Sequence, residues 1–215
     1  GSSDNKKNIE KNIKIVMKKI NSKRKKVFLP KQIHSNKFYL ISKKISNKII
    51  KCDAIITDQR KIPIGVLTAD CAPIIIFDPK RMVVSMVHAG WKGAFKEIIK
   101  KVITFFKKKG SNVKDLIVVI GPCISVKNYE IKKDFLKKFL KKDKKNKIYF
   151  KFSHNKIFFD LRKYISFQIK SFGINKLEII NKDTFSGKNS YFSARRSLVK
   201  KENDYGRNIS LIMIN

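Results

Sequence analysis

The sequence predicts an α+β fold in which mixed β-sheets are covered by helices in a layered sandwich. Short apolar runs typical of buried strands and longer amphipathic segments typical of helices both occur along the 215 residues. These segments do not alternate strictly as strand, helix and strand, which argues against a doubly wound parallel sheet. The length suits one compact unit, so we expect a basic extension or helix over residues 1–26 and a single domain over residues 27–215.

The helices are predicted from apolar side chains that recur every three or four residues. Residues 6–22 show this spacing among lysines, and residues 94–107 show it more regularly. Two further helices are expected over residues 131–142 and 161–172, with a polar loop after the first of them.

The strands are predicted from apolar, β-branched runs that end at Gly, Pro or Asp. The predicted strands cover residues 64–68, 74–77, 83–87, 116–120, 177–180 and 209–214. Shorter apolar runs precede them at residues 27–29, 38–41 and 54–57.

The charge of the chain raises the question of nucleic-acid binding. There are 51 Lys and Arg residues against 16 Asp and Glu residues, a formal net charge of +35. Cations on one face would release counterions from phosphates. The basic residues are instead spread over almost the whole sequence, so we expect unspecific electrostatic binding at low salt and no specific nucleic-acid partner.

The cysteine content fits a reducing compartment. Cys52, Cys71 and Cys123 are an odd number, and their spacing does not resemble a small secreted disulfide framework. No apolar run approaches the roughly 20 residues that span a bilayer, and no signal-peptide pattern is found. We therefore expect a cytoplasmic protein without a membrane partner, with a monomer favoured.

Three predicted strands lead into turns with reactive side chains, namely Asp70-Cys71, His88 and Cys123. Active sites are commonly built where rigid strands deliver side chains into loops. Cys71 could be a metal thiolate, a nucleophile or a small buried apolar residue. Asp70 is the candidate for proton transfer.

His88 stands between a strand and a helix start that contains Gly90, Lys92 and Gly93. Free backbone N–H groups at such a start favour an anion such as phosphate, which makes Gly90 and Lys92 candidate phosphate contacts. The glycines could equally serve only to permit a tight turn.

His34 has no histidine four residues away and so carries no local zinc motif. With Cys71 and His88 it would nevertheless form a nitrogen and sulfur ligand set suited to zinc. Three protein ligands leave a fourth position open, as catalytic zinc sites require.

Two adjacent arginines, Arg195 and Arg196, lie in an aromatic setting and suit a phosphate or a carboxylate. Surface charge is the alternative interpretation in so basic a chain. His154 lies in a polar stretch and is expected to be an exposed loop residue.

Taken in order, these motifs resemble the successive signatures of the YfiH family, also called the polyphenol oxidase or laccase-domain family. The motifs are Gln32-Ile33-His34, Asp53-Ala54 with Thr57-Asp58, Leu67-Thr68-Ala69-Asp70-Cys71-Ala72-Pro73, Val87-His88-Ala89-Gly90-Trp91, Gly121-Pro122-Cys123-Ile124, Phe192-Ser193 with Arg195-Arg196, and Gly206-Arg207. The resemblance covers residues 27–214.

The resemblance implies that residues 27–215 form a YfiH-like catalytic domain with a mononuclear zinc on His34, Cys71 and His88. Family members are described as purine nucleoside phosphorylases that also deaminate adenosine and cleave methylthioadenosine. A purine nucleoside and phosphate are then the expected partners. For the reaction itself, Asp70 and Cys71 are our candidate catalytic residues. Bacterial relatives have been linked to peptidoglycan editing. The laccase label implies an oxidoreductase with copper, which Cys and His ligands also suit.

In the favoured interpretation, zinc acts as a Lewis acid or activates water, while Gly90, Lys92, Arg195 and Arg196 receive the phosphate. A second hypothesis makes Cys71 the nucleophile of a cysteine hydrolase acting on a peptidoglycan precursor. A third makes the chain a basic nucleic-acid-binding protein without turnover.

Three positions depart from the family pattern. Lys92 stands where Arg is usual, Ala194 where Tyr is usual, and Asp183 where Cys is frequent. The zinc ligands are unaffected, so we expect these departures to act on rate and substrate choice.

Overall fold

The computed structural model describes residues 3–24, 26–41 and 49–215. The strands in these ranges are β1 (Phe38–Ile41), β2 (Ala54–Thr57), β3 (Ile64–Thr68), β4 (Ala72–Asp78), β5 (Val83–Ala89), β6 (Ile117–Ile120), β7 (Glu130–Ile131), β8 (Phe150–Ser153), β9 (Lys156–Phe159), β10 (Lys176–Ile179) and β11 (Asn208–Ile212). The α-helices are α1 (Lys6–Lys19), α2 (Trp91–Phe95), α3 (Ile98–Lys108), α4 (Lys133–Lys142), α5 (Leu161–Lys170) and α6 (Ala194–Val199).

A six-stranded mixed sheet in the order β1-β2-β5-β4-β6-β10 forms the centre of the molecule. Its inner strands pair antiparallel, whereas the outer pairs β1–β2 and β6–β10 are parallel. Strands β3 and β11 form an antiparallel pair, and β7, β9 and β8 form a small third sheet. The mixed strand directions confirm the predicted α+β class.

Both faces of the central sheet are covered, because side chains alternate between the faces along each strand. In β2, Ala54 and Ile56 pack toward the helices, whereas Ile55 packs toward the β3–β11 pair. Helix α3 contributes Phe106 and α5 contributes Ile165 to the helical side. The result is the predicted layered sandwich, with helices, the central sheet and the two-stranded sheet as successive layers.

The helix predicted over residues 94–107 is in fact two helices, α2 and α3. Glu97, between them, has a φ of 63°, in the left-handed region that ends a right-handed helix. The side-chain amide of Asn36 donates to the Lys96 carbonyl at 2.8 Å and fastens this turn to the loop before β1. The apolar periodicity continues across the break, so the sequence pattern does not reveal it.

The segment predicted as a polar loop contains a 3-10 helix, Lys144–Tyr149, and the hairpin β8–β9. Here the prediction was wrong, because the many lysines obscure two short strands whose Phe150 and Phe159 are buried. His154 and Asn155 have φ values of 47° and 58° at the hairpin turn. His154 is exposed there, as predicted.

The basic N-terminal segment contains helix α1, which begins after Asn5. The Asn5 side chain accepts a hydrogen bond from the Lys7 N–H, a standard N-cap contact. Met17 is the buried residue of this helix. The division of the chain at residue 26 stays a prediction. Among the described residues, no helix combines the length and apolar character needed to cross a membrane.

Candidate metal centre

Strand register brings two of the predicted ligands together. Cys71 immediately precedes β4, and His88 is the penultimate residue of β5. The two strands pair antiparallel with Ala72 opposite Ala89, so the start of β4 lies beside the end of β5. His34, in the loop before β1, completes the group.

The ligand atoms of His34, Cys71 and His88 all lie within 4.8 Å of one another. The Cys71 Sγ is 3.9 Å from the His34 Nε2, and the two imidazole rings meet edge to face at 4.8 Å. One thiolate and two imidazoles form a donor set that fits zinc with an open coordination position. The predicted residues therefore form one cluster that could hold a metal ion.

A buried carboxylate, Asp53, holds two of these ligands in place. Its Oδ1 accepts the Nδ1–H of His88 at 2.9 Å and the backbone N–H of His34 at 2.9 Å. Its Oδ2 accepts both the N–H and the hydroxyl of Ser35 at 2.6 Å. Such carboxylate–histidine contacts fix the tautomer and orientation of a metal-binding imidazole. The sequence indicated Asp53 only as part of a family motif and not as a residue of the site.

Hydrogen bonds within the cluster shift the pKa values of its ionisable side chains. Burial alone would raise the pKa of Asp53, but hydrogen bonds from His88 and Ser35 lower it to about 2. Burial would lower the pKa of His88, yet its contacts with Asp53 and Cys71 raise it to about 9. Burial would raise the pKa of Cys71, and contacts with His34 and His88 lower it to about 7. Cys71 thus has the thiolate character that a metal ligand or a nucleophile needs.

Gly90 lies so close to the cluster that no side chain fits at this position. A Cβ atom there would be 2.6 Å from the Cys71 Sγ and 3.2 Å from the His34 Cδ2. Glycine lets the chain after β5 pass directly over the cysteine. Its predicted phosphate contact stays a prediction.

Two cavities flank the cluster and share His34, Cys71 and Tyr205. The inner cavity, of about 260 Å³, also contains Tyr129 and Arg195 in its wall. The second cavity, of about 300 Å³, contains His88 and Arg207. A small molecule can therefore approach the cysteine from either side.

Asp70, the predicted proton-transfer residue, lines the inner cavity and also anchors its wall. Its Oδ1 accepts the hydroxyl of Thr184 at 2.7 Å, and its Oδ2 accepts the backbone N–H of Arg195 at 2.6 Å. These contacts tie the turn before β4 to the start of α6. A role in proton transfer stays a prediction.

The two adjacent arginines point to different surroundings. The Arg195 Nη1 donates to the Glu130 carbonyl at 2.7 Å, and the group lines the inner cavity. The Arg196 guanidinium donates to the backbone carbonyls of Thr184 and Phe185 at 3.0 Å and to that of Tyr191. These contacts give Arg196 a structural role, and its phosphate contact stays a prediction.

The other sequence candidates lie farther from the cavities. Lys92 is exposed, with its ammonium 5.7 Å from the Trp91 ring centre, and neither of the two cavities includes it. Cys123 is fully buried, and burial raises its pKa to about 11. It therefore lacks the thiolate character of Cys71.

Two of the departures from the family pattern have a visible structural context. Ala194 begins α6 and lines the inner cavity. Asp183 accepts the N–H and hydroxyl of Ser125 at 3.1 and 2.7 Å, and the side-chain amide of Asn128 at 2.6 Å. Burial opposes ionisation, but these hydrogen bonds hold the pKa of Asp183 below its usual range. Asp183 thus braces the loop that leads to Tyr129.

Sequence reasoning missed two tyrosines in the cavity walls, Tyr129 and Tyr205. Burial raises the pKa of Tyr129, and the charges of Cys71 and Asp70 raise it further, so its hydroxyl stays protonated. Neither tyrosine follows a local pattern that distinguishes it from a core aromatic residue.

Relatives of the chain agree with the motif-based resemblance. A purine nucleoside phosphorylase of Rickettsia conorii is 32% identical over 185 residues, covering 85% of this chain and 75% of the relative. One of Aquifex aeolicus is 33% identical over 161 residues, covering 75% and 72%. The substrate and reaction in these names are those of the relatives.

Solved structures share the fold. The YfiH protein of Bacillus licheniformis has a TM-score of 0.87 at 23% identity, covering 100% of this chain and 84% of that protein. YlmD of Geobacillus stearothermophilus has a TM-score of 0.88 at 18% identity, covering 100% and 83%. The family model described as "Multi-copper polyphenol oxidoreductase laccase" matches residues 1–215. The chain therefore belongs to this family, the YfiH or laccase-domain family.

Proposed function

We propose that the protein is a zinc-dependent purine nucleoside phosphorylase. The observation that carries the proposal is the convergence of His34, Cys71 and His88 beside a cavity that contains the Arg195 guanidinium. This arrangement offers a metal position and a phosphate-binding cation beside the same cavity. The names of the relatives, purine nucleoside phosphorylases, supply the substrate class.

Zinc is the proposed metal, although the family description names copper and two histidines with a cysteine also occur in blue-copper sites. Blue-copper sites commonly add an axial methionine, and the described walls of the two cavities contain none. Asp53 behind His88 and open space before Cys71 are features that catalytic zinc sites share.

His34, Cys71 and His88 would hold the ion. Zinc there would supply Lewis-acid polarisation and would lower the pKa of a nearby water. In phosphorolysis, a phosphate oxygen bonds to the anomeric carbon while the bond from that carbon to the base nitrogen breaks. The base gains a proton and leaves, and the sugar leaves as ribose 1-phosphate.

The side chains of the cavity have distinct parts in this proposal. Arg195 binds the phosphate, because a guanidinium pairs well with phosphate oxygens. Asp70, beside it, is the proposed proton-transfer group. Gly90, whose backbone passes next to Cys71, is a further proposed phosphate contact through its N–H.

The proposal includes two further activities, deamination of adenosine and phosphorolysis of methylthioadenosine. An activated water attacking the purine ring would yield inosine and ammonia. Ile124, Leu161 and Leu198 give the inner cavity an apolar part that would receive a methylthio group.

The test combines metal analysis with product analysis. Protein purified without a metal-affinity step should contain about one zinc per chain, because three ligands form a single site. Adenosine should yield adenine and ribose 1-phosphate only when phosphate is present, and inosine with or without it. Cys71→Ser should lose most zinc and activity while its circular dichroism stays unchanged.

A matched control is His154→Asn, since His154 lies exposed in a hairpin turn and Asn tolerates its left-handed conformation. It should retain zinc and turnover. Active protein without metal would refute the zinc mechanism.

A second candidate function has one observation in its favour. The side chains are arranged as in a catalytic triad: Cys71 contacts His88, and His88 is hydrogen-bonded to Asp53. In such a triad the cysteine is the nucleophile, the histidine the base and the carboxylate the group that orients it. The alternative is a cysteine hydrolase acting on a peptidoglycan precursor. It requires full activity after zinc is removed by a chelator, which separates it from the phosphorylase.

A further inference from the structure

Tyr129 forms the wall between the inner cavity and a larger one outside it. The outer cavity, of about 520 Å³, is lined by Trp91 and Phe135 and shares Tyr129 and Arg195 with the inner cavity. The proposed reaction assigns no role to Tyr129. Its position makes it a direct neighbour of any molecule in the inner cavity.

The Tyr129 ring is held firmly from several sides. Its backbone carbonyl accepts the N–H of Phe159 at 3.0 Å, at the end of β9. The ring packs edge to face on Phe159 and Phe135, with centroids 5.9 and 6.5 Å apart. These contacts fix where the hydroxyl lies without using it.

The hydroxyl itself is available. None of the hydrogen bonds found among the described residues involves it, and the half-buried ring packs on Phe135, Phe159 and Arg195. The hydroxyl is not among the buried polar atoms that lack a partner, so water or a ligand in the cavity can reach it. A protonated tyrosine can donate one hydrogen bond and accept others.

The ring has a second relationship, with Arg195. The guanidinium carbon lies 5.4 Å from the Tyr129 ring centre. The Arg195 Nη1 donates a hydrogen bond to the backbone carbonyl of Glu130, the residue after Tyr129. Residues 129 and 130 thus hold the guanidinium from two directions. This contact with Glu130 uses one of the five N–H donors of an arginine and leaves the others for an anion.

We propose that Tyr129 is a substrate-contact and positioning residue of the phosphorylase. Its hydroxyl donates a hydrogen bond to the purine nucleoside, and its ring positions Arg195 for phosphate. The inference rests on the proposed function and adds to it a second residue that determines substrate affinity.

Two substitutions separate the two roles. Tyr129→Phe keeps the ring and removes the hydroxyl, whereas Tyr129→Leu removes both. Tyr149→Phe is the control, because Tyr149 packs on Tyr164 and Phe167 and lines neither cavity that contains Tyr129. Zinc content and thermal unfolding are measured for all variants.

The readouts are the separate KM values for adenosine and phosphate, and the Kd for adenosine. The chain has one tryptophan, Trp91, in the wall of the outer cavity, so its fluorescence reports binding without turnover. For Tyr129→Phe we expect KM and Kd for adenosine to rise about fivefold to tenfold, the usual effect of one hydrogen bond. Its phosphate KM should stay unchanged. Tyr129→Leu should raise both KM values, and Tyr149→Phe should match the wild type.

The outcomes distinguish this inference from the proposed function. Wild-type protein that binds adenosine but does not cleave it refutes the phosphorylase, while the Kd values still measure the Tyr129 contact. A Tyr129→Phe variant with wild-type KM and Kd for adenosine overturns the hydroxyl contact. An unchanged phosphate KM in Tyr129→Leu overturns the positioning of Arg195.

Discussion

The Nδ1–H of His88 donates to the Oδ1 of Asp53 at 2.9 Å, and both side chains are buried. The same oxygen accepts the backbone N–H of His34. One carboxylate, from the residue just before β2, therefore orients two of the three candidate metal ligands, one in the loop before β1 and one in β5. The geometry of the metal centre depends on this single buried anion.

Asp53→Asn tests that dependence. The amide preserves size but replaces one acceptor oxygen by a donor, which would face N–H groups. We expect zinc affinity to fall about ten- to a hundredfold, as for other outer-shell partners of metal-bound histidines. Competition with a chromophoric chelator measures it. The control is Asp78→Asn, at a buried aspartate at the end of β4, which should leave zinc affinity unchanged. Wild-type zinc affinity in Asp53→Asn would contradict the expectation.

Gly90→Ala should disturb the metal centre directly. Its Cβ would meet the Cys71 Sγ at 2.6 Å, so the cysteine or the chain must move. We expect loss of most zinc and activity. Gly187→Ala is the matched control, because a Cβ there meets nothing within 4 Å. Zinc content per chain is measured in both variants. A Gly90→Ala protein with one zinc per chain would show that Cys71 and the backbone can shift without loss of the metal site.

Arg195→Ala and Arg196→Ala should have different effects. Arg195 lines the inner cavity, so its loss should raise the phosphate KM roughly ten- to a hundredfold, equivalent to about 1.5–3 kcal/mol. Loss of Arg196 leaves three backbone carbonyls without their donor and should lower the free energy of unfolding by about 1–3 kcal/mol. Phosphate-dependent adenine release and urea unfolding measure the two effects. The opposite pattern would reverse the assignments.

The three cysteines should differ in reactivity. Contacts with His34 and His88 outweigh burial and lower the pKa of Cys71 to about 7, whereas burial raises the pKa of Cys52 and of Cys123 to about 11. Iodoacetamide at pH 7.5 should therefore modify Cys71 first in zinc-free protein, because the thiolate is the nucleophile. Added zinc should protect it. Peptide mass spectrometry over time measures the order, and earlier labelling of Cys123 would contradict it.

Asp183→Ala should weaken the fold in a pH-dependent way. Its carboxylate accepts hydrogen bonds from Ser125, Asn128 and the Phe185 N–H, and its loss should cost about 1–3 kcal/mol at pH 7. Because the folded pKa is lowered, this stabilisation is present above the unfolded pKa of about 3.9 and is lost as pH falls through the folded pKa. Urea unfolding between pH 7 and pH 3 should show the difference from wild type shrinking below about pH 4. A constant difference would show that the charge is not involved.

Local pattern was sufficient for much of the fold. Strand β3 was predicted at residues 64–68, where the structure has it. A short apolar run between turn residues is too short for a buried helix, which leaves a buried strand. The break at Glu97 was not predictable in this way, since a left-handed residue leaves the apolar spacing almost unchanged. The hairpin β8–β9 was not predicted, because lysines interrupt the apolar runs of its two strands.

The sequence by itself determined the fold class, the family and the three candidate ligands, because ordered motifs and residue chemistry are local properties of the chain. Tertiary structure alone decided that His34, Cys71 and His88 share one space, that Asp53 holds two of them, and that Arg195 rather than Arg196 faces the cavity. These relations arise from the antiparallel register of β4 and β5 and from the docking of α6. Long-range pairing of that kind is set by burial of the whole sheet, and no local spacing in the sequence encodes it.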